Sequence, residues 1–146
     1  MKLFTMGFTQ KKAASFFELL ASHHIQRLAD IRLRPDGQLA GFAKKDDLPY
    51  FLANLANGCQ YIHLPELAPT KEILDEYRED GNWPRYTARF EQLMDERNIP
   101  QILDRQEFER WSTCLLCSEP EPDKCHRRLV AERIATFWPN VEIIHL

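Results

Sequence analysis

Two spacings of hydrophobic positions alternate along this chain. Lys2 to Met6 reads as a short strand that ends at Gly7, and behind it Ala13, Phe16, Phe17 and Leu20 recur at helical spacing, with Thr9 placed to cap their helix. A second strand is expected over Arg27 to Arg32, centred on Leu28-Ala29-Asp30-Ile31. It is followed by a turn-rich loop holding Arg34-Pro35-Asp36-Gly37 and Gly41. Asp46 or Asp47 is positioned to cap a helix through Leu48, Phe51, Leu52 and Leu55, which stops at Asn57-Gly58. Gln60 to Leu64 supplies a third strand.

From Pro65 to Arg110 the pattern is longer and more polar. Helical stretches near Thr70 to Arg78 and Pro84 to Arg97, parted by Gly81-Asn82-Trp83-Pro84, make residues 65–110 an elaborated helical crossover or lid. Thr113-Cys114-Leu115-Leu116-Cys117 is continuously apolar, as a central parallel strand covered on both faces must be. Asp123 is placed to cap a last helix with an apolar stripe of Leu129, Val130, Ile134 and Phe137. Pro139 ends it, and Val141 to Leu146 forms the final strand. Strands alternating with helices predict right-handed crossovers and a single α/β domain over 1–146. It would have three layers: a mainly parallel sheet of about five strands with helices on both faces.

Composition narrows the function classes. Nineteen basic against twenty-two acidic residues leave a formal charge of -3, which does not favour broad attraction to nucleic acid or anionic membranes. The apolar runs are strand-sized, so neither a membrane span nor a signal peptide is expected, and the cytoplasm is the expected compartment. In that setting Cys59, Cys114, Cys117 and Cys125 read as reduced thiols, open to metal binding or thiol chemistry.

Ligands of open α/β sheets bind beyond the carboxyl ends of the strands. The residues expected there are Gly7, Asp30, Arg32, His63 and Cys117-Ser118-Glu119, and the last helix opens with Cys125-His126-Arg127. A helix N-terminus beside Arg127, Arg128 and Arg32 suits a small anion and favours a thiolate at Cys125. His126 can then act as acid or base, with Glu119 as its partner or as a proton acceptor. Each of these residues also has a plain structural reading. Cys125 can be a core residue, and Asp30 and Arg32 can form an ion pair. His63, His23, His24 and His145 can be surface or satisfied residues, and Trp83, Tyr86 and Phe90 can be packing residues of the crossover.

Cys114-x-x-Cys117 with Cys125-His126 also has the look of a zinc ligand set. On one extended strand, however, Cys114 and Cys117 point to opposite faces about 10 Å apart, too far for one tetrahedral ion. A smaller site of Cys117, Cys125 and His126 survives that objection.

Several stretches together resemble a known family: Thr5-Met6-Gly7, Asp30-Ile31-Arg32, Gln38-Leu39-Ala40-Gly41-Phe42, Tyr61-Ile62-His63-Leu64-Pro65, Leu115-Leu116-Cys117-Ser118-Glu119, Cys125-His126-Arg127 and Ile144-His145-Leu146. They are similar, in the same order and over nearly the whole chain, to domain of unknown function 488. The resemblance implies a compact α/β domain with a polar site at Asp30, Arg32, Cys117, Glu119, Cys125, His126 and Arg127, without an established reaction. Members often carry Ser or Asn near the place where this chain has Pro35-Asp36-Gly37.

The first functional reading is an enzyme of a small anionic, nucleotide-like substrate. In it Cys125, His126 and Glu119 are catalytic, and Asp30, Arg32, Cys117 and Arg127 bind substrate. No cofactor is singled out. The second reading is a module that binds a nucleotide, a phosphate or a nucleic-acid end without turning it over. The third is a metal-stabilised structural protein.

Overall fold

The apolar run Thr113–Cys117 becomes β4, buried along its whole length at the centre of the sheet. In the computed structural model, which describes residues 1–146, β1 (Lys2–Gly7) pairs on one side of it and β2 (Arg27–Asp30) on the other. β3 (Gln60–His63) and β5 (Glu142–His145) are the edges, giving the order β3-β2-β4-β1-β5 with every pair parallel. The expected α/β class is the one observed, and the sheet is wholly rather than mainly parallel.

Alternation along β4 sorts the core into two layers. Cys114 and Leu116 face Phe4, Met6, Phe16, Phe17 and Leu52, under the helices α1 (Ala13–Ser22) and α2 (Leu48–Leu55). Leu115 faces the other way, towards Phe90, Met94, Val130 and Ile134 of α4 (Trp83–Glu96) and α6 (His126–Phe137). Residues 65–110 carry α3 (Lys71–Asp80) and α4, and also a short α5 (Arg105–Arg110) that the spacing did not mark. Thr70 caps α3 through its hydroxyl, and Gly81 ends it in the left-handed conformation at φ 64°.

Three expected helix caps are not made. Thr9 does not cap α1, which starts four residues later behind Lys12. The Thr9 N–H is instead occupied by the Ser118 carbonyl, because this stretch still runs alongside the end of β4. Asp47 stands at the cap position of α2, but it is already in helical conformation and its carboxylate accepts nothing. Asp123 lies outside α6, which is capped at Cys125 because Cys125 N–H first closes a turn on the Pro122 carbonyl. Phe137, assigned to the buried stripe of α6, is its last residue and is half exposed. No helix is long and apolar enough to cross a membrane.

Gly7 shows why β1 must end in glycine. A Cβ there would overlap the Glu119 carbonyl, which rests directly on the Gly7 backbone. Because the obstacle is backbone, Gly7→Ala should destabilise the fold by about 2–3 kcal/mol, within the range for overpacked sites. Urea unfolding measures this, and an unchanged midpoint would show that the loop after β4 yields freely.

Candidate functional site

Parallel strands deliver their carboxyl ends side by side. The register pairs Gly7 with Cys117 and Asp30 with Leu116, so the segments that follow β1, β2 and β4 leave the sheet together. The loop after β4 then returns to the start of α6, and a cleft of about 210 Å³ opens between these segments and α3. Arg32, Cys117, Glu119, Cys125 and His126 all line it. A wider concavity of about 1060 Å³ lies at the opposite end of the sheet, among Met1, His24, Asn57 and Trp111. It is larger, but the cluster of ligating groups lies in the smaller cleft, which gathers two thiols, an imidazole and several cations.

At the floor of the cleft, the Cys117 and Cys125 sulfurs are 3.0 Å apart. The two residues are 4% and 2% exposed. His126 Nε2 is 2.8 Å from the Ile31 carbonyl, and because that oxygen can only accept, Nε2 carries a proton. Nδ1 is then left facing Cys117 Sγ at 3.4 Å. Burial alone pushes the Cys117 thiol up. The S–H of Cys125, the backbone N–H groups of Glu119 and Ser118 and the Arg127 guanidinium together outweigh it, so this thiol lies below its ordinary value. Cys125 goes up, first because it donates to Cys117, then because it is buried and faces the charge on its neighbour. Of the two thiols, Cys117 rather than the expected Cys125 is therefore the more acidic.

Cys114 lies on the other face of β4, near Cys59, with its pKa raised by burial. This separation rules out one ion bound by Cys114 and Cys117 together. Cys117, Cys125 and His126 do bring their ligand atoms within 4.8 Å of one another. Tetrahedral zinc bonded to two sulfurs at about 2.3 Å would space them about 3.8 Å apart. The observed 3.0 Å is too close for that geometry without movement.

Two residues expected to touch a ligand are turned away from the cleft. Asp30 is fully buried, and its carboxylate accepts from Arg32 Nε at 2.8 Å, Arg32 Nη2 at 2.6 Å and the Tyr61 hydroxyl at 2.6 Å. Burial first, then the bond to Asp30, raises the Tyr61 pKa, which keeps this donor protonated. Arg127 is also fully buried, with its guanidinium bonded to the carbonyls of Glu119 and Pro120. Both residues hold the site in shape from behind.

Arg32 does reach the cleft. Its Nε and Nη2 are bound to Asp30, and Nη2 also donates to the Ala43 carbonyl at 2.6 Å. Nη1 is buried without a partner, an unused donor on a cation that lines the cavity. Arg34, Lys71, Arg78 and Lys124 join it, so the lining holds five cations and two carboxylates, Asp75 and Glu119, with Arg32 already paired to Asp30 behind it. Glu119 is exposed, while Asp75 is already paired with Lys71 at 2.5 Å.

Tyr77 and Tyr86 close the far wall, and Tyr86 stacks between Trp83 and Phe90 at ring separations of 5.0 and 6.0 Å. Sequence spacing marked Tyr86 as packing and did not bring Lys71, Tyr77 or Arg78 to the site, because helix α3 docks over the strand ends only in the folded chain. His63 is structural, bonded to the Arg32 carbonyl at 2.9 Å.

Among comparisons with known proteins, the family model described as Domain of unknown function DUF488 matches residues 12–134. No curated protein and no solved structure matches the chain.

Arg127→Ala would leave two carbonyls unpaired and a void behind the loop. It should cost about 3 kcal/mol, the scale for removing a buried charged donor, whereas Arg127→Lys should recover part of that. Thermal unfolding reads both, and equal stability of Ala and wild type would remove the strut role. Iodoacetamide labelling across pH, followed peptide by peptide, should show Cys117 reacting at lower pH than Cys125, with Cys125→Ala moving the Cys117 midpoint upward. A lower midpoint at Cys125 would reverse the assignment.

Proposed function

The chain belongs to the family of domain of unknown function 488, and from that premise we propose an enzyme that acts on a small anionic, nucleotide-like substrate, with Cys117 as nucleophile. The observation that carries this reading is the Cys117 thiol on the floor of a cleft rimmed by five cationic side chains. An anion entering the cleft would be attracted by the rim and aligned by the free Nη1 of Arg32. The Cys117 sulfur, its proton having gone to Nδ1 of His126, which faces it, would then bond to the electrophilic centre of the bound anion as the bond from that centre to the leaving group breaks. Glu119, exposed at the mouth with no hydrogen bond to its carboxylate, would exchange the proton of the leaving group with solvent. Cys125 would stabilise the thiolate by donating to it. In this reading Asp30 and Arg127 take part only through the residues they position.

The low exposure of both sulfurs favours a second reading, in which the cationic rim binds a nucleotide or phosphate and releases it unchanged. Arg34→Ala with Lys124→Ala should weaken the best anionic ligand from a thermal-shift screen about tenfold, equivalent to about 1.4 kcal/mol, with little change in stability. Cys117→Ser should keep that affinity and abolish turnover. Unchanged affinity in the double variant would eliminate the anion site, and tight binding without turnover would select the binding module.

A further inference from the structure

Four cysteines share this chain, and the sheet divides them into two unlike pairs. Cys59 and Cys114 belong to the closed layer under α1 and α2, where burial pushes the Cys59 thiol up to about 12. Cys117 and Cys125 lie in the cleft lining with sulfurs 3.0 Å apart, already inside ordinary nonbonded contact. A disulfide needs about 2.05 Å, so these sulfurs have roughly 1 Å left to close. The seven residues between them form an exposed or half-buried loop that can supply this movement.

We propose that Cys117 and Cys125 are a dithiol–disulfide couple, oxidised by small hydroperoxides that enter through the cleft. A small oxidant is specified because the cavity is only about 210 Å³ and the sulfurs are nearly closed off at its floor. The Cys117 sulfur attacks one peroxide oxygen and the O–O bond breaks. The departing oxygen takes a proton, giving an alcohol or water and a sulfenic acid at Cys117. The Cys125 sulfur then attacks the Cys117 sulfur, forming the S–S bond as the S–O bond breaks, and the hydroxide leaves with the Cys125 proton as water. Two electrons pass from the thiols to the peroxide, and a solution thiol restores the pair by exchange.

The couple deepens the proposed function, because the disulfide would remove the Cys117 nucleophile and so switch that chemistry off. It rests on sulfur proximity, not on anion binding, and the two can therefore fail separately.

The test treats fully reduced wild-type protein with hydrogen peroxide, then alkylates, digests without reductant and maps the cysteines by mass. The expected product is one intramolecular link joining the Cys117 and Cys125 peptides, reversed by dithiothreitol, with Cys59 and Cys114 still reduced. Cys125→Ser should stop at a sulfenic acid on Cys117 that dimedone traps. Wild-type protein that stays reduced, over-oxidises without a link, or links only between molecules would overturn the proposal. Calorimetric titration of the reduced protein with inorganic phosphate and nucleotides reports the anion site independently. Phosphate or nucleotide binding without the link would remove the couple and leave the proposed function, and the link without such binding would do the reverse.

Discussion

A buried guanidinium holds the candidate site together. Arg127 is the largest fully buried side chain in the protein, and its Nη1 and Nη2 donate to two carbonyls of the loop between β4 and α6, while Nε has no partner. Without that tether, a loop containing Pro120 and Pro122 has few backbone bonds to hold it against the sheet. Gly7 gives the room for the tethered carbonyl, and the N–H groups of Phe8 and Thr9 hold the carbonyls of Cys117 and Ser118. The return of the chain to Cys125, and so the meeting of the two sulfurs, depends on this close approach. A buried charge is costly, and replacing one by apolar groups often stabilises a protein. Here the carbonyls it satisfies have no other partners, so the cation is a structural requirement of the loop.

A second buried cation works in the opposite direction. Asp30 offers both carboxylate oxygens to Arg32 and fixes its guanidinium in one plane, while the Phe8 ring lies 5.2 Å from the guanidinium carbon. Tyr61 supplies a further donor to Asp30, so the carboxylate is stabilised by more than its ion pair. This arrangement fixes Arg32, a lining residue of the cleft, with Nη1 buried and without a partner. Of the two arginines, Arg127 holds the loop and Arg32 is held by Asp30 at the cleft.

The sheet was legible in the sequence because its strongest signals are local. The unbroken run at Thr113–Cys117 marks a strand buried on both faces, and Asn57-Gly58 and Gly81 mark helix ends that the backbone uses. Cap positions were less legible. Thr9, Asp47 and Asp123 are all good capping residues by type, yet strand pairing, a helical backbone conformation and a preceding turn respectively took precedence. For the site, placement beyond the strand ends brought Arg32, Cys117, Glu119, Cys125 and His126 to one cleft. It could not reveal that Asp30 and Arg127 face inward, since that depends on which carbonyls and side chains tertiary packing leaves unpaired. The cations of α3 were hidden for a similar reason, being distant in sequence and carried on a helix whose docking follows from its apolar face.

The relative acidity of the two cysteines shows how a general rule yields to a particular contact. A cysteine at a helix N-terminus is ordinarily the acidic one, because the free N–H groups there stabilise its charge. Cys125 occupies that position, but its side chain makes no capping bond and its sulfur turns instead to Cys117. Two sulfurs in contact share one hydrogen-bonding proton, and the sulfur that accepts it and on which the other donors converge is the more acidic of the pair. Cys117 has two backbone N–H groups at the strand end in addition to the neighbouring thiol, whereas Cys125 has only His126 in its favour. Charge on Cys117 raises Cys125 further, so any asymmetry between the two reinforces itself. The acidity of each cysteine is therefore set by the loop that brings the pair together, and through that loop by the carbonyl tether of Arg127.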